Sequence, residues 1–124
     1  MGSRLDTAIA MAPAKLGPIE VVVWAYQSLA PMFEENLRFA EPGQAVIART
    51  PALQERQLAK AASITHTISE ALGRRGTPSG LAGLAATAGM AVTTHGLQTW
   101  LQDPSVPLGA HLAEAFRSLK TISR

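Results

Sequence analysis

The stretch TPSGLAGLAATAGMAVTTHGLQTWLQDP, residues 77–104, decides the fold. Between Arg75 and Asp103 it holds no Asp, Glu, Lys or Arg, and it places Gly80, Gly83, Gly89 and Gly96 among Ala82, Ala85, Ala86, Ala88 and Ala91. Pro78 stands at its start, where a helix tolerates proline, and Asp103-Pro104 stops it. Each interior glycine costs a helix about 1 kcal/mol relative to alanine, so propensity alone disfavours this segment. Small side chains offset that cost when they let other helices approach closely from more than one side. The stretch therefore predicts a charge-free helix surrounded by partners. It is long enough to test as a membrane span, but Thr93-Thr94-His95-Gly96-Leu97-Gln98-Thr99 is too polar for a run of about 20 predominantly apolar residues. A buried helix of a non-membrane protein is the reading.

Proline sets the same rhythm elsewhere. Pro18, Pro42, Pro51, Pro78 and Pro107 each precede a stretch of helical periodicity, and Thr50 and Thr77 stand where a hydroxyl caps a helix N-terminus. From Pro51 to Leu72 the signal is strongest. Leu53, Leu58, Ala61, Ile64, Ile68 and Leu72 mark one side, and Gln54, Glu55, Lys60 and Ser63 face water. Gly73-Arg74-Arg75-Gly76 closes that helix with cations near its C-terminus and a glycine for a left-handed cap. Upstream, Ile19, Val22, Val23, Tyr26 and Leu29 form an apolar face from Pro18. Pro31 is expected to kink or end this helix, and Met32, Phe33, Leu37 and Phe39 continue the apolar supply. Glu41-Pro42-Gly43 reads as a break before a short helix over residues 45–48. Downstream of Pro107, Leu108, Leu112, Ala115, Phe116, Leu119 and Ile122 recur at helical spacing. The sum is an all-α, antiparallel helical bundle of five to six helices in one domain over residues 1–124, with residues 1–17 read as the tail of a linker helix.

Composition agrees and narrows the function. The chain has 124 residues, 47% hydrophobic and 16% charged, which suits one globular domain. With no cysteine, disulfides, thiolate metal sites, iron–sulfur clusters and cysteine nucleophiles are excluded. The net charge is only +2, and no run of Lys or Arg makes a stripe able to neutralise several phosphates. Direct nucleic-acid binding therefore has little electrostatic support. Arg4 and Asp6 flank the start of a short Thr-Ala-Ile-Ala-Met-Ala stretch with no continuous apolar core behind it, so no secretory signal is read and a cytoplasmic location is expected.

Reactive side chains are sparse. His66, His95 and His111 have no four-residue spacing and no His-Glu-x-x-His, so no metal site is expected. His111 reads as exposed on the flank of the last helix. His95, inside the charge-free helix, is either a ligand contact or a hydrogen-bonded core histidine, and the same alternatives apply to His66. No nucleophile elbow, phosphate loop or dinucleotide fingerprint occurs. Glu34 and Glu35 point in different directions on a helix and read as a solvated face. No catalytic residue and no cofactor are assigned. An isomerase with His66 or His95 as base is the weakest reading, because no partner group is visible. Trp24, Tyr26, Met32, Phe33, Phe39, Met90 and Trp100 are core fillers taken singly. Set against a helix of small residues, such side chains also leave apolar cavities of the kind that take small molecules.

Two further stretches complete the reading. Arg49-Thr50-Pro51-Ala52-Leu53-Gln54-Glu55-Arg56 followed by Leu72-Gly73-Arg74-Arg75-Gly76 resembles the long central helix of the C-terminal domain of the tetracycline-repressor (TetR) family. The alanine/glycine-rich helix ending in Trp100-Leu101-Gln102-Asp103-Pro104 is similar in the same way, and Leu112-Ala113-Glu114-Ala115-Phe116-Arg117-Ser118-Leu119 resembles that family's terminal helix. Proteins of the family begin with a three-helix DNA-binding unit, and nothing before residue 18 is long enough to hold one. The chain thus resembles the effector-binding and dimerisation part of a transcriptional repressor.

The resemblance implies a homodimer through the last two helices, with Leu81, Leu84, Ala88, Val92, Trp100, Leu108, Leu112, Phe116 and Leu119 at the interface. The stripe of the terminal helix would lie on the partner's residues 78–101. A small apolar or amphipathic effector would be lined by Trp24, Phe33, Phe39, His66, Met90 and His95. Its binding would alter operator affinity, with DNA contacted only through the N-terminal domain absent from this sequence. A helical homodimerisation module with no effector is the alternative.

Overall fold

A computed structural model describes the backbone of residues 2–49 and 51–123, and the side chains of residues 4–35, 55 and 59–123. Five helices follow in order: α1 (Gly2–Met11), α2 (Pro18–Arg49), α3 (Pro51–Arg74), α4 (Ser79–Gln102) and α5 (Leu108–Ile122). No strand occurs among the described residues. Helix α4 packs against α2, α3 and α5, α2 also packs against α5, and α1 lies across α2 and α3. The core is aliphatic and small: Val21, Val22 and Ala25 of α2, Ile68 and Leu72 of α3, Ala82, Ala86 and Val92 of α4, and Leu108 and Leu112 of α5 are all buried.

The glycines of α4 divide by task. A Cβ added at Gly89 would lie 2.5 Å from Val22 Cγ1, and one at Gly96 would lie 2.8 Å from Leu112 Cδ2 and 3.1 Å from Leu112 Cα. These two positions, two turns apart, are where α2 and α5 come close enough to exclude a methyl group. Gly80 has open space and Gly83 meets only Ser69 Oγ at 3.9 Å, so close packing does not account for them. Nor is α4 enclosed all round. Leu81, Leu84 and Leu101 are exposed, as are Thr87, Ala91, His95 and Gln98 at helical spacing between them. The expected ring of partners covers one face of α4 and leaves the other open.

Several boundaries depart from the expectation. Helix α2 runs unbroken through Pro31 and through Pro42-Gly43. A proline inside a helix removes one N–H and bends the axis, and it does not end a helix whose flanking turns are held by packing. Pro78 and Pro107 occupy the N-cap positions of α4 and α5 and offer no side-chain acceptor of their own, so Thr77 does not cap α4. Thr50 lies outside the described residues.

The end of α3 matches its reading closely. Gly76 has φ +102°, Thr77 N–H donates to Leu72 O at 3.1 Å, and Gly76 N–H donates to Gly73 O at 2.9 Å. That pair of bonds is the Schellman motif, which needs a left-handed residue after the helix. Leu5, Ala8, Ile9 and Ala12 form a buried stripe that carries α1 into the core. Among the described residues, no helix is long and apolar enough to cross a membrane.

Candidate functional site

Helix α2 distributes three jobs around its circumference. On one side Tyr26 and Phe33, two turns apart, bring their rings to 5.5 Å between centroids at 30°. Met90 reaches the same corner from α4, one residue beyond the close contact at Gly89, and Tyr26 Oη donates to Met90 Sδ at 3.3 Å. Tyr26 is only 7% exposed, and burial pushes its hydroxyl up to about 12. Charge on the phenolate would be poorly solvated there, so the group stays a neutral donor. A thioether is a weak acceptor. The corner is therefore apolar, with one polar hydrogen that a carbonyl or hydroxyl oxygen would satisfy better.

On a second side, α2 and α1 bound an open groove of about 460 Å³. Arg4, Thr7, Ala8 and Met11 line it from α1, and Trp24, Ser28 and Leu29 line it from α2. Arg4 Nη1 stands 2.6 Å from Met32 Sδ beside it. The third side holds α5. Gln27 Nε2 donates to Gly109 O at 3.2 Å, and Leu108 N–H donates to Glu34 Oε1 at 3.1 Å. Glu34 is thus half-buried and caps α5, where the helix dipole favours a carboxylate; the solvated face expected of it belongs to Glu35 alone.

The predicted lining residues scatter accordingly. Phe33 and Met90 meet through Tyr26, a residue that sequence reasoning placed only among the core fillers. Its signal was its spacing from Phe33 on one helix face. Trp24 opens instead on the groove beside α1. His66 is exposed on α3 and pairs with Glu70, Nε2 to Oε1 at 2.5 Å. His95 is exposed on the open face of α4. Phe39 lies outside the described side chains.

His111, expected in solvent, is half-buried with both ring nitrogens engaged. Nδ1 lies 2.9 Å from Thr99 Oγ1, and Nε2 lies 3.0 Å from Asp103 O. The carbonyl can only accept, so Nε2 carries a proton. Among the described residues no cluster of three His, Asp or Glu side chains is placed to hold a metal ion.

The predicted interface residues separate into two sets. Val92, Trp100, Leu108 and Leu112 are between 1% and 4% exposed within the single chain. Leu112 of the α5 stripe lies on α4 of its own chain, where Gly96 gives it room. Leu81 and Leu84 are exposed, while Ala88, Phe116 and Leu119 are half-buried, with Lys120 Nζ 4.6 Å above the Phe116 ring.

A family model described as the MftR C-terminal domain, one of the TetR C-terminal type, matches residues 16–123. No curated protein matches the chain.

Proposed function

Because the chain belongs to the MftR C-terminal domain family of TetR-type domains, we propose that it is the regulatory part of a cytoplasmic transcriptional repressor. In this reading it binds a small apolar or amphipathic effector and dimerises, and effector binding alters the operator affinity of a DNA-reading domain. It performs no chemistry on the effector. The observation that carries the site is the Tyr26 hydroxyl, buried between α2 and α4 with a thioether as its acceptor. Ligand pockets pair apolar walls with few polar groups that fix orientation, and Phe33, Met90 and Tyr26 supply that combination. An effector oxygen would take the hydroxyl proton, and flexible Met90 would move aside.

The dimer is proposed on the open face of α4, with Leu81, Leu84 and Leu101, and on the Phe116 and Leu119 edge of α5. This places His95 at the interface and outside the effector site.

A thermal-shift screen of apolar and amphipathic compounds tests the effector reading, since a ligand that binds only the folded state raises the midpoint. A hit whose shift falls in Tyr26→Phe and in Met90→Ala, with the unliganded midpoints of both variants above room temperature, supports the site. A hit indifferent to both substitutions refutes it. A chain that dimerises yet answers to no compound favours the module without effector.

A further inference from the structure

One arginine does an unusual amount of holding. Arg75 Nη1 donates to Ile9 O at 3.0 Å, Ala10 O at 3.4 Å and Ala12 O at 2.8 Å, and Nη2 donates to Pro13 O at 3.0 Å. These are the carbonyls of the last turn of α1 and of the two residues that follow it. Ile9 O and Pro13 O each also accept a backbone N–H, from Ala12 and Leu16, and Ala10 O is among those a helix end leaves without an intrahelical donor. Arg75 therefore caps a helix that is not its own. Next to it, Arg74 forms an ion pair with Asp6 on α1, but both side chains are largely solvated and the pair is weak.

Helix α1 depends on outside support. It has 10 residues, too few to persist as an isolated helix in water, where about 12–15 is the margin. Its support comes from Leu5, Ala8 and Ile9, buried where α1 packs on α2 and α3, and from the guanidinium on Ile9 O and Ala10 O in its last turn. It also lies outside the residues that match the family model, which begin at 16. Docking and helicity of α1 are thus one event.

The guanidinium is aimed by the turn that carries it. Arg75 is the last residue before Gly76, and its own N–H is shared between Ala71 O at 3.3 Å and Leu72 O at 3.1 Å. Gly76 at φ +102° then sends the chain into α4. The Schellman end of α3 therefore sets the position and Cα–Cβ direction from which Arg75 reaches α1. A change in the α3–α4 turn displaces all four bonds together, because one rigid planar group makes them.

We propose that the α3–α4 turn is a latch for α1, with Arg75 as its bolt: when the turn keeps its geometry α1 is docked and helical, and when the turn shifts α1 is released. Anything that biases the turn then sets the fraction of α1 docked, a population shift in a two-state element. This rests on the geometry of α1, α3 and the turn alone, and does not require the effector site proposed above.

Hydrogen exchange of the whole chain without any added ligand tests the latch. Arg75→Ala should raise exchange of the α1 amides about ten- to a hundredfold, the range set by losing charge-assisted bonds, and leave the amides of α2 around Val22 and of α4 around Val92 unchanged. Arg75→Lys, which keeps the charge and loses the fork, should release α1 to a similar extent. Gly76→Ala, which keeps Arg75 and strains the left-handed turn, should also release α1. Asp6→Asn should change α1 exchange by no more than about fivefold. Unchanged α1 exchange in Arg75→Ala overturns the bolt, and so does equal acceleration in every helix, which would make Arg75 a contributor to global stability only. Unchanged α1 exchange in Gly76→Ala overturns control by the turn.

Discussion

Replacing Gly89 by alanine should destabilise the protein, although glycine is a poor helix residue. The new methyl would lie 2.5 Å from Val22 Cγ1, 2.7 Å from its Cβ and 3.1 Å from Cγ2. Carbon atoms rest at about 3.5–4.0 Å, so the contact must open by about 1 Å. Val22 is fully buried, and a β-branched side chain in a helix has one strongly preferred rotamer, so it cannot swing clear. Helices α2 and α4 must separate instead. Overpacking of this kind costs about 1–3 kcal/mol, and removing a helical glycine returns about 1 kcal/mol. The net loss is up to about 2 kcal/mol on those two figures. Gly83→Ala, in the same helix, meets only Ser69 Oγ at 3.9 Å and should gain most of the propensity term, about 0.5–1 kcal/mol. Urea denaturation followed by circular dichroism, at one fixed protein concentration, compares the two variants directly. Val22→Ala should relieve the Gly89→Ala penalty, and the double-mutant cycle reads that coupling. A Gly89→Ala protein at least as stable as Gly83→Ala would refute the close approach of α2 and α4 at this point.

Titration of the chain's single tyrosine should show a midpoint near 12, read by tyrosinate absorbance. Since burial raises the folded value above the ordinary 10, Tyr26 contributes stability that is complete below pH 10 and is lost as pH rises from 10 to 12, on the order of 2–3 kcal/mol. Tyr26→Phe should flatten stability over that window, and a midpoint at 10 would contradict the burial. Leu112→Glu should prevent folding, because Leu112 is 1% exposed against Gly96; a folded variant by circular dichroism would place this side chain outside the core. Leu84→Glu should stay folded and sediment as a monomer at micromolar concentration where the parent sediments as a dimer. A parent monomer, or a variant dimer, would remove the open face of α4 as the interface.

Much of the fold was legible because helices announce themselves locally. The charge-free run from Arg75 to Asp103, the stripe from Leu108 to Leu119 and the closing Gly73-Arg74-Arg75-Gly76 each follow from period, composition and the one residue type that tolerates positive φ. Membership in the family followed from the order of those same stretches. Proline misled where its cost is a matter of context. Pro31 and Pro42 interrupt hydrogen bonds within α2, and local sequence cannot tell whether flanking turns hold the helix through the gap.

What only the tertiary structure decided is which face of each helix meets which neighbour. The spacing of α5 is the same whether its stripe packs on a partner or on its own chain, and only the fold brings Leu112 of that stripe against Gly96 of the same chain. Tyr26, Phe33 and Met90 share no spacing that links α2 to α4, so their meeting depends on how the two helices cross. Arg75 read as a cation at the end of its own helix, and it serves the end of another more than 60 residues away in sequence. Periodicity fixes the apolar side of a helix because it is a property of neighbouring residues. Partner and register are properties of distant ones, and they exist only once the chain has packed.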